Sequence, residues 1–339
     1  MGSFRFPDGV EFLGDDNDGR AQFHVSMPLD DDGYFGRECP SCDQHFRMLN
    51  EDYESLPDDL RLWCVYCGHN DDHGEFMTGQ QRDRMMRVAD DYAKQLIGNM
   101  LDDTFGKMAR RSRRSMIRFS YRSSPFYPAP LPGIDEERLV RERTCADCGV
   151  RYAVFGEHRF CPICGQLPAL ATAFDAIAAE EARLDLLGGL AEDAKATARE
   201  AGLLDRTYVD AIENAVGIVE STAERIFRDQ VVDAEERLRG RGKIFQRLED
   251  MADLFSSALG IDLRGAMGHD WTTLSESWAA RHVHTHNDGI VDQKYLAVVS
   301  DSPLRIGQRL AVGEASARRT LVVARQLIRS LATNVDGPE

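Results

Sequence analysis

The sequence predicts a mainly α-helical protein with a helical bundle in its C-terminal half and two small cysteine-based folds before it. Two observations lead to this fold class. All eight cysteines lie between residues 39 and 164, in four pairs with the spacing Cys-x-x-Cys. From about residue 170 onward the chain is rich in alanine, and its apolar residues recur every three or four positions, which is the period of an α-helix. This change in composition places a domain boundary near residues 167–168.

The composition restricts the classes of protein to which the chain can belong. Its 339 residues allow two or three domains at roughly 100–200 residues each. No run of about 18 apolar residues occurs, so no membrane-spanning helix is expected. The first residues, Met1–Asp8, lack the apolar stretch of a secretory signal, and a cytoplasmic protein without membrane association is therefore predicted.

The net charge of −16 is strongly acidic. A protein with this charge does not attract nucleic acid over its whole surface, so nucleic-acid binding requires a local basic patch. The acidic residues are dense near the N-terminus, where we expect a solvated, mobile segment: Asp15, Asp16, Asp18, Asp30, Asp31 and Asp32.

The cysteines form two clusters of two pairs each: Cys39, Cys42, Cys64 and Cys67, then Cys145, Cys148, Cys161 and Cys164. Two intervening residues allow both thiolates of a pair to reach one ion at about 2.3 Å, and two pairs complete the tetrahedron that Zn²⁺ prefers. Glycine follows the second cysteine of three pairs, which suits a tight turn. Disulfides are unusual in a cytosolic protein. The pattern therefore predicts two structural zinc ions, each in a closed zinc ribbon with four cysteine ligands.

Other interpretations of the clusters are less favoured. A redox Cys-x-x-Cys needs a strand-to-helix setting that this sequence lacks, and an iron–sulfur cluster fits the spacing less well than zinc. His45, His69 and His73 are near enough in sequence to replace a ligand, but four cysteines are already present. The role of the ribbons stays open between recognition of nucleic acid or protein and stabilisation of a small fold without a core.

A connector at residues 80–140 separates the acidic segment and first ribbon, residues 1–79, from the second ribbon, residues 141–167. Its first part predicts a helix with an apolar stripe at Met85, Val88, Ala89, Tyr92, Leu96 and Met100. Alternating apolar residues indicate a strand over 115–121, and the proline-rich segment that follows should be irregular.

The connector also contains seven basic residues within 16 positions that hold no acidic residue: Lys107, Arg110, Arg111, Arg113, Arg114, Arg118 and Arg122. Phe119 and Tyr121 are interleaved with them. Arginines neutralise phosphates and aromatic rings stack on unpaired bases, so we predict that this stretch binds RNA. The alternative is a solvated helix end whose charges pair with the acidic surface.

Residues 168–339 predict four or five helices, each with one apolar face, and therefore a helical bundle. Four groups of residues recur at helical spacing: Val209, Ile212, Val216, Val219, Ala223 and Ile226; Ile244, Leu248, Met251 and Phe255; Trp271, Leu274 and Trp278; and Ala317, Leu321, Ala324, Ile328 and Leu331.

Arg281 and His286 follow the third of these groups. Arg281 stands where a core residue is expected, and a buried charge needs a partner or a cleft. About 140° of helical rotation separates the two side chains, so they share a cleft only if the helix ends between them or a second chain contributes. Asn287–Gly289 favours a helix stop. The spacing alone is weak evidence, because Arg264 and His269 repeat it.

In its helical setting, the segment from Arg281 to His286 resembles the motif of the HEPN superfamily, which has an arginine, a polar residue, three further residues and a histidine. The Asn-Asp-Gly-Ile-Val-Asp run that follows, with Tyr295-Leu296, is also similar to HEPN-like bacterial proteins. The resemblance covers roughly residues 170–335. It implies a metal-independent endoribonuclease that works as a homodimer, with arginine and histidine of both protomers in one cleft.

The resemblance also implies a role for each residue. His286 would exchange protons with the reacting hydroxyls as the RNA 2′-hydroxyl attacks its own phosphate, and Arg281 would stabilise the charged transition state. His282 matches the polar position after the arginine, and Asn287 would orient the phosphate or the histidine. Asp288 stands where some members carry a tyrosine that a partner nucleotidyltransferase modifies, so that toxin–antitoxin mode is not expected. Proteins of this kind often act in defence.

Two competing functions stay open. A ribbon-bearing adaptor would dimerise through its helical bundle without catalysis, and its ribbons would bind RNA or a protein partner. The alternating histidines would then be a hydrogen-bonded cluster, or an adventitious metal site through His282 and His286. A zinc-ribbon transcription factor is disfavoured by the acidic charge and by the lack of a recognisable recognition helix in the sequence.

Overall fold

The structure is a computed structural model that describes residues 4–57, 59–112, 119–134 and 141–332. The chain divides into two compact units. The first contains the chain up to Phe155 together with Arg159–Gln166, and the second contains Gly156–His158 and the chain from Leu167 onward. About half of the chain is helical. Within the described ranges, every helix is too short or too polar to cross a membrane.

The described residues of the first unit form ten short strands and two helices. The strands are β1 (Val10–Asp15), β2 (Ala21–Val25), β3 (Tyr34–Glu38), β4 (His45–Leu49), β5 (Arg61–Trp63), β6 (Asn70–Asp72), β7 (Arg141–Thr144), β8 (Arg151–Val154), β9 (Phe160–Cys161) and β10 (Gly165–Gln166). The helices are α1 (Asn50–Tyr53) and α2 (Gly79–Ser112), with a 3-10 turn at His73–Phe76. The predicted mainly α-helical class is therefore wrong for this unit, because strands of two to six residues leave little periodic signal in a sequence.

The central sheet of the first unit has the strand order β3-β4-β8-β7 and is antiparallel throughout. The β3–β4 hairpin turns at Cys39 and Cys42, and the β7–β8 hairpin turns at Cys145 and Cys148. The other cysteine pairs lie at the turns of the two-stranded hairpins β5–β6 and β9–β10. Because β4 pairs with β8, the two ribbons share one sheet.

The acidic N-terminal segment is folded, and the prediction of a mobile segment is wrong for residues 10–25. The strands β1 and β2 pair as a hairpin. The carboxylate of Asp16 closes its turn by accepting hydrogen bonds from the backbone N–H groups of Asp18 and Arg20, at 2.9 and 2.7 Å. Further along, the Asp30 carboxylate lies 2.7 Å from the Arg47 guanidinium. The acidic side chains are therefore used locally, as turn closures and ion-pair partners.

The helix predicted between the cysteine clusters is α2. Its buried side carries Gln81, Val88 and Gln95. The Gln81 amide donates to the Gly36 carbonyl at 2.8 Å, and the Gln95 amide donates to the Arg5 carbonyl at 2.7 Å. Tyr92 of α2 also packs on the rings of Phe4 and Phe23, at centroid distances of 5.0 and 5.2 Å, so polar and aromatic contacts together hold this helix on its own unit.

The second unit is helical. Its helices are α3 (Ala169–Gly188), α4 (Glu192–Glu200), α5 (Leu203–Gln230), α6 (Ala234–Leu238), α7 (Leu248–Leu259), α8 (Leu263–Met267), α9 (Asp270–His286), α10 (Gln293–Val298) and α11 (Glu314–Ala332). The predicted apolar groups lie on α5, α7, α9 and α11, except for Ile244, which lies in a 3-10 turn before α7.

One apolar core joins the long helices of the second unit. Phe227 of α5 lies at its centre, with ring centroids 6.0 Å from Phe245 and 5.8 Å from Phe255. Leu274 of α9 and Leu321 of α11 are fully buried in the same core. The predicted helical bundle is confirmed.

Candidate functional site

Each cluster of four cysteines gathers its sulfur atoms within 4.8 Å of one another. The Sγ–Sγ distances are 3.7 Å for Cys39–Cys67, Cys42–Cys64 and Cys148–Cys161, and 3.9 Å for Cys145–Cys164. A tetrahedron with Zn–S bonds of about 2.3 Å has edges of about 3.8 Å, whereas a disulfide has an S–S bond of about 2.05 Å. The prediction of two structural zinc ions is confirmed by this geometry.

The four cysteine pairs place the same kind of backbone turn next to the metal. In the pairs that begin at Cys39, Cys64 and Cys145, the backbone N–H of the first cysteine donates to the carbonyl of the residue five positions later. The carbonyl of that cysteine accepts a hydrogen bond from the N–H of the residue four positions later. The residue at that fourth position has a φ between 56° and 83° in all four pairs: Asp43, Gly68, Gly149 and Gly165. Glycine adopts this left-handed conformation at the least cost, which explains three of the four residues.

Backbone N–H groups also approach the sulfurs. The Ser41 N–H donates to Cys39 Sγ, and those of Ile163 and Cys164 donate to Cys161 Sγ, each at 3.4 Å. These bonds favour the thiolate form that binds a metal. Each site has four protein ligands and leaves no position for a substrate, so both centres suit a structural role.

Histidine takes no part in either cluster within the described residues. His73 Nδ1 lies 2.5 Å from the Tyr53 hydroxyl, and His69 Nε2 lies 3.6 Å from the Asp71 carboxylate. These two histidines are therefore engaged elsewhere, and each cluster consists of cysteine alone.

Contacts around Tyr66 and Phe160 join the two ribbons. The Tyr66 hydroxyl donates to the His45 carbonyl at 2.9 Å and accepts the Phe155 N–H at 2.8 Å. The Phe160 ring lies parallel to Trp63, with 6.2 Å between their centroids. Tyr66 and Phe155 are 89 residues apart in the chain, which explains why sequence reasoning missed this connection.

The predicted nucleic-acid-binding stretch is described in part. Three of its arginines lie outside the described residues: Arg113, Arg114 and Arg118. Arg110 and Arg111 are exposed on the last turn of α2, and Lys107 forms an ion pair with Asp103 one turn earlier.

The aromatic residues of this stretch fold back onto α2. The ring centroids of Phe119 and Tyr121 lie 6.0 and 5.5 Å from that of Phe105. The Tyr121 hydroxyl donates to the Asp102 carboxylate at 2.6 Å. Of the strand predicted over 115–121, residues 119–121 are irregular and the others lie outside the described part of the chain.

Arg281 lies on α9 with only 19% of its side chain exposed. Its Nη1 is 3.8 Å from Oε1 of Glu220 on α5. That oxygen is buried and accepts no hydrogen bond from the described residues. Burial raises the pKa of the Glu220 carboxyl, while the charges of Arg281 and Lys243 and a hydrogen bond with Gln246 oppose the rise. Glu220 is thus a site residue that sequence reasoning missed.

A cleft of about 660 Å³ opens beside Glu220. Arg239, Lys243 and Gln246 line it together with Ser221. Guanidinium, ammonium, amide and hydroxyl groups all donate hydrogen bonds. The same lining carries three carboxylates, Glu220, Glu224 and Glu235, which balance the three cations Arg228, Arg239 and Lys243, so the cleft has no excess of positive charge.

The helix α9 is unbroken from Asp270 to His286, so Arg281 and His286 point about 140° apart and do not share a face. His286 is exposed, and its ring centroid lies 5.0 Å from that of His282. Partial burial and then the charge of His286 lower the pKa of His282. His282 is therefore mainly neutral near pH 7.

The predicted helix stop lies directly after His286. Asp288 and Gly289 have φ values of 52° and 76°, and the Gly289 N–H donates to the Val283 carbonyl at 3.1 Å. The Asn287 side-chain amide donates to the Ile290 carbonyl and closes the turn. Asn287 therefore has a structural contact at the position for which a catalytic role was predicted.

Comparisons with family models, with curated proteins and with solved structures gave no match to this chain. Of the predicted site residues, the structure brings the cysteines together in two groups of four and places His282 beside His286. It pairs Arg281 with Glu220. The functional inference therefore depends on these geometries.

Proposed function

We propose that the protein is an endoribonuclease whose helical bundle cleaves RNA without a catalytic metal ion. The observation that carries the proposal is the position of Arg281, which is mostly buried beside Glu220. A buried arginine lowers stability unless a partner or a ligand compensates, and here the compensating carboxylate is held at 3.8 Å without a hydrogen bond from Arg281. The HEPN resemblance supplies the reaction class by analogy.

The proposed reaction is an internal transfer within RNA. The 2′-hydroxyl loses its proton and attacks the adjacent phosphorus, and the 5′-oxygen of the next nucleotide leaves with a proton, which gives a 2′,3′-cyclic phosphate and a 5′-hydroxyl. His286, exposed at the end of α9, moves these protons. Arg281 stabilises the additional negative charge on the phosphate. His282 supports the His286 ring at 5.0 Å.

The proposal requires a homodimer of helical bundles. Because Arg281 and His286 point about 140° apart on one helix, a single chain does not present both to the same phosphate. Arg281 of one protomer would act with His286 of the partner subunit. Arg110 and Arg111, at the exposed end of α2, would bind RNA, and the zinc ribbons would contact RNA or a protein partner.

A non-catalytic adaptor is the second candidate, and two contacts favour it. Glu220 neutralises Arg281, and the Asn287 amide is used to close the turn after α9. In an adaptor, both contacts stabilise the bundle, and the zinc ribbons perform the recognition.

RNA incubation distinguishes the two functions. We expect the parent protein to cleave RNA in EDTA, under conditions in which elemental analysis still finds two zinc ions per chain, and the Arg281→Ala and His286→Ala variants to lose cleavage at least 100-fold, on the order of what one acid–base group contributes. His269→Ala is the matched control, because His269 has the same spacing from Arg264 and is also exposed. Equal activity in His269→Ala and His286→Ala would exclude the proposed site.

A further inference from the structure

The exposed apolar surface of this protein is concentrated on α2. Within the described residues, seven of the eighteen large apolar side chains that are exposed belong to this helix. Met86 is 68% exposed and Ile97 is 58% exposed. Isolated exposed apolar residues are common, but a continuous group of them indicates an interaction surface.

The spacing of these residues forms a straight stripe. Met86, Ile97 and Met108 follow one another at intervals of eleven residues, and eleven residues of α-helix return to within about 20° of the starting direction. Ala93 and Met100 lie between them on the same side. We call these five residues the α2 stripe.

The α2 stripe lies opposite the side by which α2 contacts its own unit. Val88 and Gln95, which are buried, are about 160° and 180° from Met86 around the helix. The Gln95 amide donates to the Arg5 carbonyl at 2.7 Å. The stripe is therefore not needed to hold α2 in place, and its burial requires a separate partner.

We propose that the α2 stripe pairs with the same stripe of a second copy of this chain, in antiparallel orientation about Ile97. In that register Ile97 lies level with Ile97 of the other copy, and Met86 of one copy lies level with Met108 of the other. Ala93 lies level with Leu101, which sets a small side chain beside a large exposed one. Such self-complementarity is the property of an interface between identical subunits.

One pair of opposite charges beside the stripe favours the antiparallel orientation. In that orientation Asp83 of each copy lies level with Arg111 of the other, whereas a parallel pair places like charges together. Four other charged residues already form two ion pairs within the helix, Lys94 with Asp90 and Lys107 with Asp103. This pairing is independent of the proposed nuclease activity and of the dimer of bundles.

Cysteine cross-linking tests both the contact and its direction. We expect a mixture of Met86→Cys and Met108→Cys chains to form the mixed disulfide dimer at least ten times faster than either variant alone, and Ile97→Cys to cross-link with itself. Leu186→Cys, on an exposed residue of the second unit, is the control for random collision, and the parent chain is the control for its own cysteines. Self-cross-links of Met86→Cys would overturn the antiparallel pairing.

Association in solution gives the second measurement. In sedimentation velocity of the full chain, we expect Ile97→Glu to weaken association at least tenfold. Val322→Glu introduces the same charge at an exposed position of α11 and should leave association unaltered. Zinc content measured on the same samples confirms that the variants are folded. Cross-linking at the Leu186→Cys rate, or association unaffected by Ile97→Glu, would overturn the proposal and assign the stripe to a different partner.

Discussion

The two units of this chain obtain their stability from different sources. In the second unit, large side chains such as Phe227, Phe255 and Leu321 are fully buried on long helices. In the first unit, strands of two to six residues surround two cysteine clusters, and the charged Arg37 and Arg47 are buried beside apolar groups. Hydrophobic burial stabilises the bundle, whereas bound metal stabilises the ribbons. The first unit also buries large apolar side chains, Phe46 and Tyr152 among them, so bound metal there adds to an apolar core and does not replace it.

Zinc removal should give the largest effect that separates the two units. Structural zinc in small zinc-dependent domains contributes about 10–16 kcal/mol of apparent binding free energy, so we expect the first unit to unfold without it. The bundle has no such dependence and should stay folded. Hydrogen exchange measured by mass spectrometry before and after exhaustive chelation would show lost protection in β3, β4 and β8 and retained protection in α5 and α11. Loss of protection in both units after chelation would contradict the claim that only the first unit depends on metal.

The reverse experiment removes part of the apolar core. Phe227 is fully buried in contact with two other rings, so Phe227→Ala should lower the free energy of unfolding of the second unit by about 3–5 kcal/mol. Zinc content should stay at two ions per chain. Urea unfolding followed by circular dichroism measures the effect, with the exposed Val322→Ala as control. A change in zinc content would show that the units are energetically coupled.

The parts of the molecule that sequence reasoning predicted are those set by local chemistry. Two residues between cysteines and a glycine after them specify a metal knuckle within six positions, as at Gly68 and Gly149. The apolar period of α5 and α11 is likewise contained within one helix. The metal knuckles and these two helices could therefore be predicted without knowledge of their tertiary contacts.

The rest depends on partners distant in the chain. The pairing of β4 with β8 joins residues about a hundred positions apart. The sequence of either strand contains no pattern that predicts which strand it pairs with. Glu220 precedes Arg281 by 61 positions on a different helix. Of the apolar stripe predicted on α2, Val88 is buried and Met100 is exposed, because the helix contacts its unit through the side that also carries Gln81 and Gln95.

Two glycine substitutions measure the contact between the ribbons. Gly68 and Gly149 have φ values of 74° and 76°, so alanine at either position costs about 1–2 kcal/mol of backbone strain. A Cβ at position 68 would also collide with the Phe160 ring, whereas at position 149 it would have no atom within 4 Å. We expect Gly68→Ala to cost a further 1–3 kcal/mol, roughly the penalty of overpacking. Thermal unfolding of the first unit measures both effects. If Gly68→Ala and Gly149→Ala lowered its stability equally, the ribbons would be loosely packed around Phe160.

The smallest expected effect is a difference in the pH dependence of the two units. Hydrogen bonds from the Arg151 side chain, opposed in part by burial, lower the pKa of Asp52 in the first unit, and those from Arg237 lower the pKa of Asp233 in the second. A carboxyl with a lowered pKa contributes stability that is present above its unfolded value of about 3.9 and is lost as the pH falls through its folded value.

Asp52→Asn and Asp233→Asn should each remove this contribution from one unit only. At pH 7 each variant should unfold at slightly lower urea concentration than the parent, in the transition of its own unit, and the difference should vanish below the folded pKa. A shift that persists at low pH would come from packing, because the protonated carboxyl and the amide carry the same charge. A shift in both transitions from either variant would mean that the metal-stabilised and core-stabilised units unfold as one, despite their separate sources of stability.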